Sequence, residues 1–320
     1  VATEPHDTVW DVLVVGGGVA GLTAGLFAAR CGRSTVVLVP LAPGGTLLNV
    51  ERIEDFPGFP DGIAGFELGP VVQEQAEQAG AVVRMAELAV LENVDGVWVG
   101  SCGGDRFRAR TVVLATGTRA RVLAVPGEER LAGRGVSHCA SCDAPLFVGR
   151  TVAVVGGGDS ALQEALTAAE HASRVIVVHR RETLRAQETY GTRAAAHPKI
   201  ELRLLSTVEE ILGEDAVTGI RVRDATTDLA EDVELAGVFV YVGNEAETQL
   251  VPDGVELDAD GRIVTDATLA TSVPGLFAAG DVRSGSSGQA VSAAGDGAAA
   301  AMAAHRHLAA TPVAEAHASA

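Results

Sequence analysis

Twice in this 320-residue chain an apolar run leads straight into a glycine-rich turn. Asp11-Val12-Leu13-Val14-Val15 precedes Gly16-Gly17-Gly18-Val19-Ala20-Gly21, which sets G-x-G-x-x-G at Gly16, Gly18 and Gly21. Thr151-Val152-Ala153-Val154-Val155 precedes Gly156-Gly157-Gly158-Asp159-Ser160-Ala161. An unbroken apolar run of this length is the pattern of a strand buried on both faces, as in a parallel sheet. The turn behind it gives a tight bend, lets a pyrophosphate approach the backbone, and aims a helix N-terminus at that anion. Alone the glycine pattern is weak; between a strand and a helix it is specific. After the first turn a helix is expected over residues 22–30, ended by Gly32, and a second strand over 34–39. After the second turn a helix is expected over 162–170 and a strand over 175–178.

The rest of the chain fits one module inserted in another copy of itself. Residues 67–79 read as a helix, 81–90 and 94–100 as strand material, and 111–115 as a strand ending in Thr116-Gly117. Further strands are expected at 202–205, 217–222 and 237–242. The stretch from Gly275 reads as a strand ending in Gly280-Asp281, and 289–308 as an Ala-rich helix. The expected fold is α/β with two Rossmann-like dinucleotide-binding domains, one discontinuous. Its parts are residues 1–117 and 244–310, the inserted domain is 118–243, and 311–320 is a frayed tail.

The second strands of the two modules end differently. Val39-Pro40 closes the first, where a ribose-binding acid would be expected. His179-Arg180-Arg181, with Arg185, comes after the other, and bases there favour a 2′-phosphate, hence NADP(H) over NAD(H). A solvated basic loop is the plainer alternative. Just before the second turn stands His138-Cys139-Ala140-Ser141-Cys142-Asp143. Two cysteines at this spacing can close a disulfide, and a carboxylate comes directly after. The plainer readings are half a zinc site or two idle thiols. No second CxxC exists, and Cys31 and Cys102 are isolated, so a redox pair is the stronger reading. Asp143 is either a proton carrier or a helix N-cap. His138, if protonated, could acidify Cys139, or it is an ordinary surface histidine.

Composition excludes more than it selects. A formal net charge of −18 argues against binding nucleic acid through its phosphates. No apolar run free of Gly and charge is long enough to span a membrane. Glu4, Asp7 and Asp11 leave no basic apolar leader at the start, so a cytoplasmic address is expected. Four cysteines are too few for a disulfide scaffold.

Taken in order, these motifs resemble the low-molecular-weight thioredoxin reductases over roughly residues 11–308. The match comprises Gly16-x-Gly18-x-x-Gly21, Gly44-Gly45, Ala115-Thr116-Gly117, Cys139-x-x-Cys142-Asp143, Gly156-x-Gly158, His179-Arg180-Arg181-x-x-x-Arg185-Ala186 and Ala279-Gly280-Asp281. The resemblance implies FAD in the discontinuous domain, NADPH in the inserted one, a homodimer, and a domain rotation that presents NADPH and the dithiol to the flavin in turn. It further implies that Cys142 faces the flavin, that Cys139 attacks the outside disulfide, and that Asp143 moves the proton. FAD contacts are expected from Gly16, Gly18, Gly21, Gly44, Gly45, Thr46, Thr116, Gly117, Gly280, Asp281, Gln289 and Ala290. NADPH contacts are expected from Gly156, Gly158, Asp159, Ser160, His179, Arg180, Arg181 and Arg185. The partner is thioredoxin or another small CxxC or peroxidase protein.

The chain departs from the family in four places. Ala144, Pro145 and Leu146 stand where Gly and two aromatics are frequent, and this segment is similar to that of the alkyl hydroperoxide reductase flavoprotein subunit. Gly288 replaces an Arg before Gln289, Thr46 replaces Gln, and His138 precedes the first cysteine. A flavin dithiol oxidase, passing electrons from a small dithiol to oxygen without NADPH, is the alternative function. The intact basic cluster argues against it.

Overall fold

The computed structural model describes residues 8–311, and the expectations for the first few residues and for most of the tail lie outside them. In chain order, the first segment holds β1 (Val9–Val15), α1 (Val19–Arg30), β2 (Thr35–Val39), α2 (Gly65–Gln78), β3 (Val82–Met85), β4 (Val90–Val94), β5 (Val97–Cys102), β6 (Asp105–Leu114) and β7 (Thr118–Ala120). Then come β8 (Val136–Ser137), α3 (Ala140–Asp143), β9 (Thr151–Gly156), α4 (Asp159–His171), β10 (Arg174–Val178), α5 (Glu188–Ala196), β11 (Ile200–Arg203), β12 (Ser206–Leu212), β13 (Gly219–Asp224), β14 (Ala230–Glu234) and β15 (Gly237–Tyr241). The chain closes with β16 (Asn244–Ala246), β17 (Leu276–Ala278) and α6 (Ala290–Ala310). Two compact units result: one from the chain up to Arg119 and from Glu245 onward, the other Ala120–Asn244.

The first unit is built on a sheet ordered β3-β2-β1-β6-β5-β4, with β17 also on β6. β3, β2, β1, β6 and β17 run parallel, while β4 and β5 form an antiparallel hairpin against β6. Strand β6 divides one edge between two partners: β5 pairs with residues 105–109 and β17 with 112–114. Both faces of β1 are covered. Val12 and Val14 pack with α1 and α6, while Leu13 and Val15 pack with Leu88, Leu91 and Trp98. This double burial is why the run shows no polar alternation, and each such side chain contributes about 1.5–3 kcal/mol. Helices α1 and α6 meet through small residues: a Cβ on Gly297 would lie 2.0 Å from the Ala20 carbonyl oxygen.

The second unit repeats the plan with a parallel sheet ordered β11-β10-β9-β15-β8. Val152 and Val154 face one core, Ala153 and Val155 the other. An antiparallel meander, β12-β13-β14, is added to it. The sequence reading shows only part of this meander, because its outer strands carry charge. Arg221 of β13 lies between Glu210 of β12 and Asp232 of β14, at 2.6 and 2.8 Å. Cross-strand ion pairs of this kind hold a sheet without an apolar alternation to reveal it. Helix α5 also escapes that reading.

Boundaries move in a consistent way. Helices α1 and α4 start at Val19 and Asp159, three residues before the expected 22 and 162, because each begins at the third glycine of its turn. The expected strand 81–90 is two strands, β3 and β4, with residues 86–89 between them. No helix among the described residues is long and apolar enough to cross a membrane.

Candidate active site

In the first unit the predicted glycines converge on the start of α1. Gly16 leaves β1 with φ +118°, and a Cβ there would lie 2.2 Å from the Ala115 carbonyl oxygen. Only glycine fits both the conformation and the approach. The Gly44 N–H donates to the Gly17 carbonyl at 2.8 Å, and a Cβ on Gly45 would come within 3.2 Å of the Gly18 Cα. Around Gly18 itself there is open space. It caps α1 with no side-chain hydrogen bond, and no acid stands in the first turn. The amides at this end are thus free for an anion.

Other predicted residues gather nearby. Gly280 packs against Ala20, its N–H donating to Asp296 Oδ2 at 3.1 Å. Asp296 also forms a two-point pair with Arg283, at 2.6 and 2.8 Å, which fixes the turn. Asp281 accepts from the Ser286 hydroxyl at 2.6 Å. Gln289 caps α6 and Ala290 opens it. Thr116 and Gly117 are tied to Glu247, through its carbonyl at 2.6 Å and its N–H at 3.0 Å. Thr46 is exposed on a short 3-10 turn.

The second glycine turn has the same plan. Gly156 has φ +152°, and a Cβ there would lie 2.4 Å from the Tyr241 carbonyl oxygen. Gly158 is open and caps α4 without a side chain. The Arg185 N–H donates to the Gly157 carbonyl at 2.7 Å, which brings the basic segment to the turn. Arg180, Arg181 and Arg185 are exposed and form no ion pair among the described residues. His179 is different. It is 7% exposed, its Nε2 meets the Thr183 carbonyl at 3.1 Å, and its ring lies where a Cβ on Gly157 would stand. Burial, and then the charges of Arg185, Arg181 and Arg180, hold its pKa below the ordinary histidine value. Asp159 accepts from the Gln187 N–H at 2.7 Å and from its Nε2 at 3.2 Å, which ties α4 to the start of α5. Ser160 lies exposed in the first turn of α4.

Cys139 and Cys142 form a disulfide, so their sulfurs do not serve as half of a zinc site. Cys139 caps α3 and is half-buried, whereas Cys142 is exposed. The Cys142 N–H donates to Cys139 Sγ at 3.2 Å, and the Ser141 hydroxyl lies 3.3 Å from the same sulfur. Asp143 is the last residue of α3 and stands at the N-cap of the 3-10 turn behind it, where its side chain makes no capping bond. His138 turns Nδ1 to the Val240 carbonyl at 3.1 Å. Beneath α3 lie two residues the sequence reading missed, Glu164 and Tyr241. Glu164 Oε2 accepts from the Ala140 and Ser141 N–H groups and from the Tyr241 hydroxyl. A signal existed: Glu164 sits among Leu162, Ala165 and Ala168 on the buried side of α4, where a carboxyl needs partners.

Residues 10–297 match the family described as pyridine nucleotide-disulphide oxidoreductases, and the chain belongs to that family. Within it, the thioredoxin reductase of Treponema pallidum is 39% identical over 302 residues, 94% of this chain and 98% of that one. The bifunctional thioredoxin reductase/thioredoxin of Mycobacterium leprae is 42% identical over 306 residues, 95% of this chain and 67% of that one. The crystal structure of Lactococcus lactis thioredoxin reductase superposes with a TM-score of 0.91 at 35% identity, covering 94% of this chain and 99% of that chain. The resemblance drawn from the motifs holds, as does the expected fold of two Rossmann-like domains. The chain is an NADPH-dependent flavoprotein disulfide reductase, with FAD and NADPH as its cofactors. The oxidase alternative is not supported. The residues present fit both cofactors: two helix starts are capped by open glycines, and one of them has three exposed arginines beside it.

Proposed function

We propose that the first unit holds FAD at Gly16, Gly18, Gly21, Gly44, Gly45, Thr46, Thr116, Gly117, Gly280, Asp281, Gln289 and Ala290. The second unit holds NADPH at Gly156, Gly158, Asp159, Ser160, His179, Arg180, Arg181 and Arg185. When bound, NADPH supplies a hydride and FAD relays its electron pair to sulfur. The chain's own part is to bind, orient and exchange. Arg180, Arg181 and Arg185 take the 2′-phosphate, and the starts of α1 and α4 take the pyrophosphates. His179, buried with its pKa held low, acts on the nucleotide through the Gly157 backbone that its ring packs against.

Cys139 attacks the partner's disulfide as a thiolate and forms a mixed disulfide; Cys142 attacks Cys139 and releases the partner's second thiol. The single observation that carries this assignment is the pair of donors on Cys139 Sγ, from Cys142 N–H and the Ser141 hydroxyl, which would steady a negative sulfur. Asp143 supplies or takes the proton at this pair.

The partner is thioredoxin or a similar small CxxC or peroxidase protein. Leu146 and Val148, 76% and 67% exposed, offer it an apolar surface close to Cys142 in the chain. A homodimer is proposed as well, supported by Phe66 and Val71 exposed on α2, and the cytoplasm is the proposed setting. The test is NADPH oxidation by the purified protein with thioredoxin, a general disulfide reagent, or oxygen alone. Turnover with thioredoxin or a similar small redox protein, well above that with oxygen alone, is expected. Equal rates with oxygen alone would overturn the assignment.

A further inference from the structure

The four-residue helix α3 rests its first amides on a buried carboxyl group. Glu164, 5% exposed, reaches up from α4. Its Oε2 accepts the Ala140 N–H at 2.9 Å, the Ser141 N–H at 3.2 Å and the Tyr241 hydroxyl at 3.1 Å. The Ala140 N–H is shared, since the Tyr241 oxygen lies 3.0 Å away. Burial, and then the charge of Glu164, push the Tyr241 phenol pKa up, so it stays a donor. Amides at the start of a helical turn are the groups that otherwise stabilise a thiolate at its N-cap. Here two of them are turned to Glu164. Among the described residues, Cys139 Sγ keeps the Cys142 N–H and the Ser141 hydroxyl.

We propose that Glu164, steadied by Tyr241, is a positioning residue that holds the dithiol turn and sets how readily Cys139 releases its proton. A negative charge on the peptide joining Cys139 to Ala140 disfavours a second one on the sulfur. Cys139 therefore gives up its proton less readily than it would with these amides turned to its sulfur. Other charged groups face this site from few directions. His138 precedes the turn and Asp143 ends it. Residues 144–147 carry none, β15 brings only Tyr241, and α4 otherwise carries Asp159, Glu170 and His171. The inference rests on reading Cys139 and Cys142 as the reactive pair.

The experiment uses the full-length, flavin-loaded protein, reduced with dithiothreitol. That reagent's two thiols close to a ring disulfide as the Cys139–Cys142 bond opens to two thiols. After removal of reagent without air, Cys139 is alkylated with iodoacetamide across pH 5.5–9.5 and read by peptide-resolved mass spectrometry. Glu164→Gln keeps an oxygen for the amides and removes the charge. It should move the Cys139 midpoint to lower pH and raise the rate at pH 7 about three- to tenfold. Tyr241→Phe leaves the charge less dispersed and should move the midpoint upward by less. Cys31 and Cys102 serve as internal references and should keep their profiles. Loosening alone would raise the plateau without moving the midpoint, and that result overturns the proposal. So does a midpoint at or above wild type in Glu164→Gln, or at or below it in Tyr241→Phe. Failure of the underlying reading would show elsewhere, as turnover retained by Cys139→Ser or Cys142→Ser.

Discussion

The two glycine turns share a backbone device and differ in their surroundings. Gly16 and Gly156 both leave a strand at positive φ and press on the end of the next parallel strand, at Ala115 and Tyr241. Gly18 and Gly158 are both open to a ligand. The middle glycines part company: Gly17 lies on Val39, Gly157 on the ring of His179. The fourth positions differ too. A Cβ on Gly21 would stand 1.9 Å from the Gly16 carbonyl oxygen, whereas the second turn already carries Ala161 there. Helix α1 begins without an acid, while α4 begins with Asp159, whose carboxylate is spent on Gln187. In the proposed assignment this device places the pyrophosphate, and the residues ending the neighbouring strand select the nucleotide.

The largest expected effect tests whether sulfur chemistry belongs to the second unit alone. Cys139→Ser and Cys142→Ser should each abolish disulfide reduction. Cys31→Ser and Cys102→Ser, in the first unit, should leave the rate within about twofold, since a half-buried cysteine away from the site acts as a small apolar group. Steady-state assays with thioredoxin read both pairs.

The basic segment comes next. Neutralising Arg180 and Arg181 should raise the KM for NADPH about tenfold or more, because a charge-assisted contact is worth about 1.5–3 kcal/mol. The KM for NADH and the bound flavin should change little. A wild type that uses NADH and NADPH equally well would break this half of the comparison.

Crowding at the fourth position is a smaller effect. Gly21→Ala should cost about 1–3 kcal/mol by overpacking and should lower flavin occupancy, read by denaturant unfolding and by absorbance. The reverse change, Ala161→Gly, should cost only about 1 kcal/mol, the ordinary helix penalty for glycine.

The smallest effect is a pH dependence. With its folded pKa lowered, His179 contributes stability that is present above the unfolded value, about 6.5, and is lost as pH falls through the folded value. Urea unfolding should therefore weaken on acidification, by at most about 1.4 kcal/mol per pH unit from this group. His179→Gln should remove that part of the slope. An unchanged slope would detach His179 from the second turn.

Much of the molecule is legible in the sequence. The doubly buried strands are visible because Val12-Leu13-Val14-Val15 and Val152-Ala153-Val154-Val155 show no alternation. Both turns, the cysteine pair and the basic segment are visible because each uses neighbouring residues for its chemistry. Strands β12 and β14 are not, since Glu209, Glu210 and Asp232 find their partners across strands rather than along the chain. Glu164 escapes for a related reason. Its partners, Ala140, Ser141 and Tyr241, lie 23 to 77 residues away.

The chain alone determined what local chemistry dictates: two strand-turn-helix modules, a vicinal dithiol, and bases at the end of one second strand. Those depend on glycine conformation, apolar periodicity and adjacency, which a sequence carries directly. Tertiary structure decided which of these groups are free to act. It withdrew His179 beneath Gly157, committed Asp159 to α5, left Arg180, Arg181 and Arg185 unpaired, and set Glu164 and Tyr241 under the dithiol. Burial and hydrogen-bond satisfaction are properties of the packed chain, because a buried polar group must find its partner wherever the fold brings one.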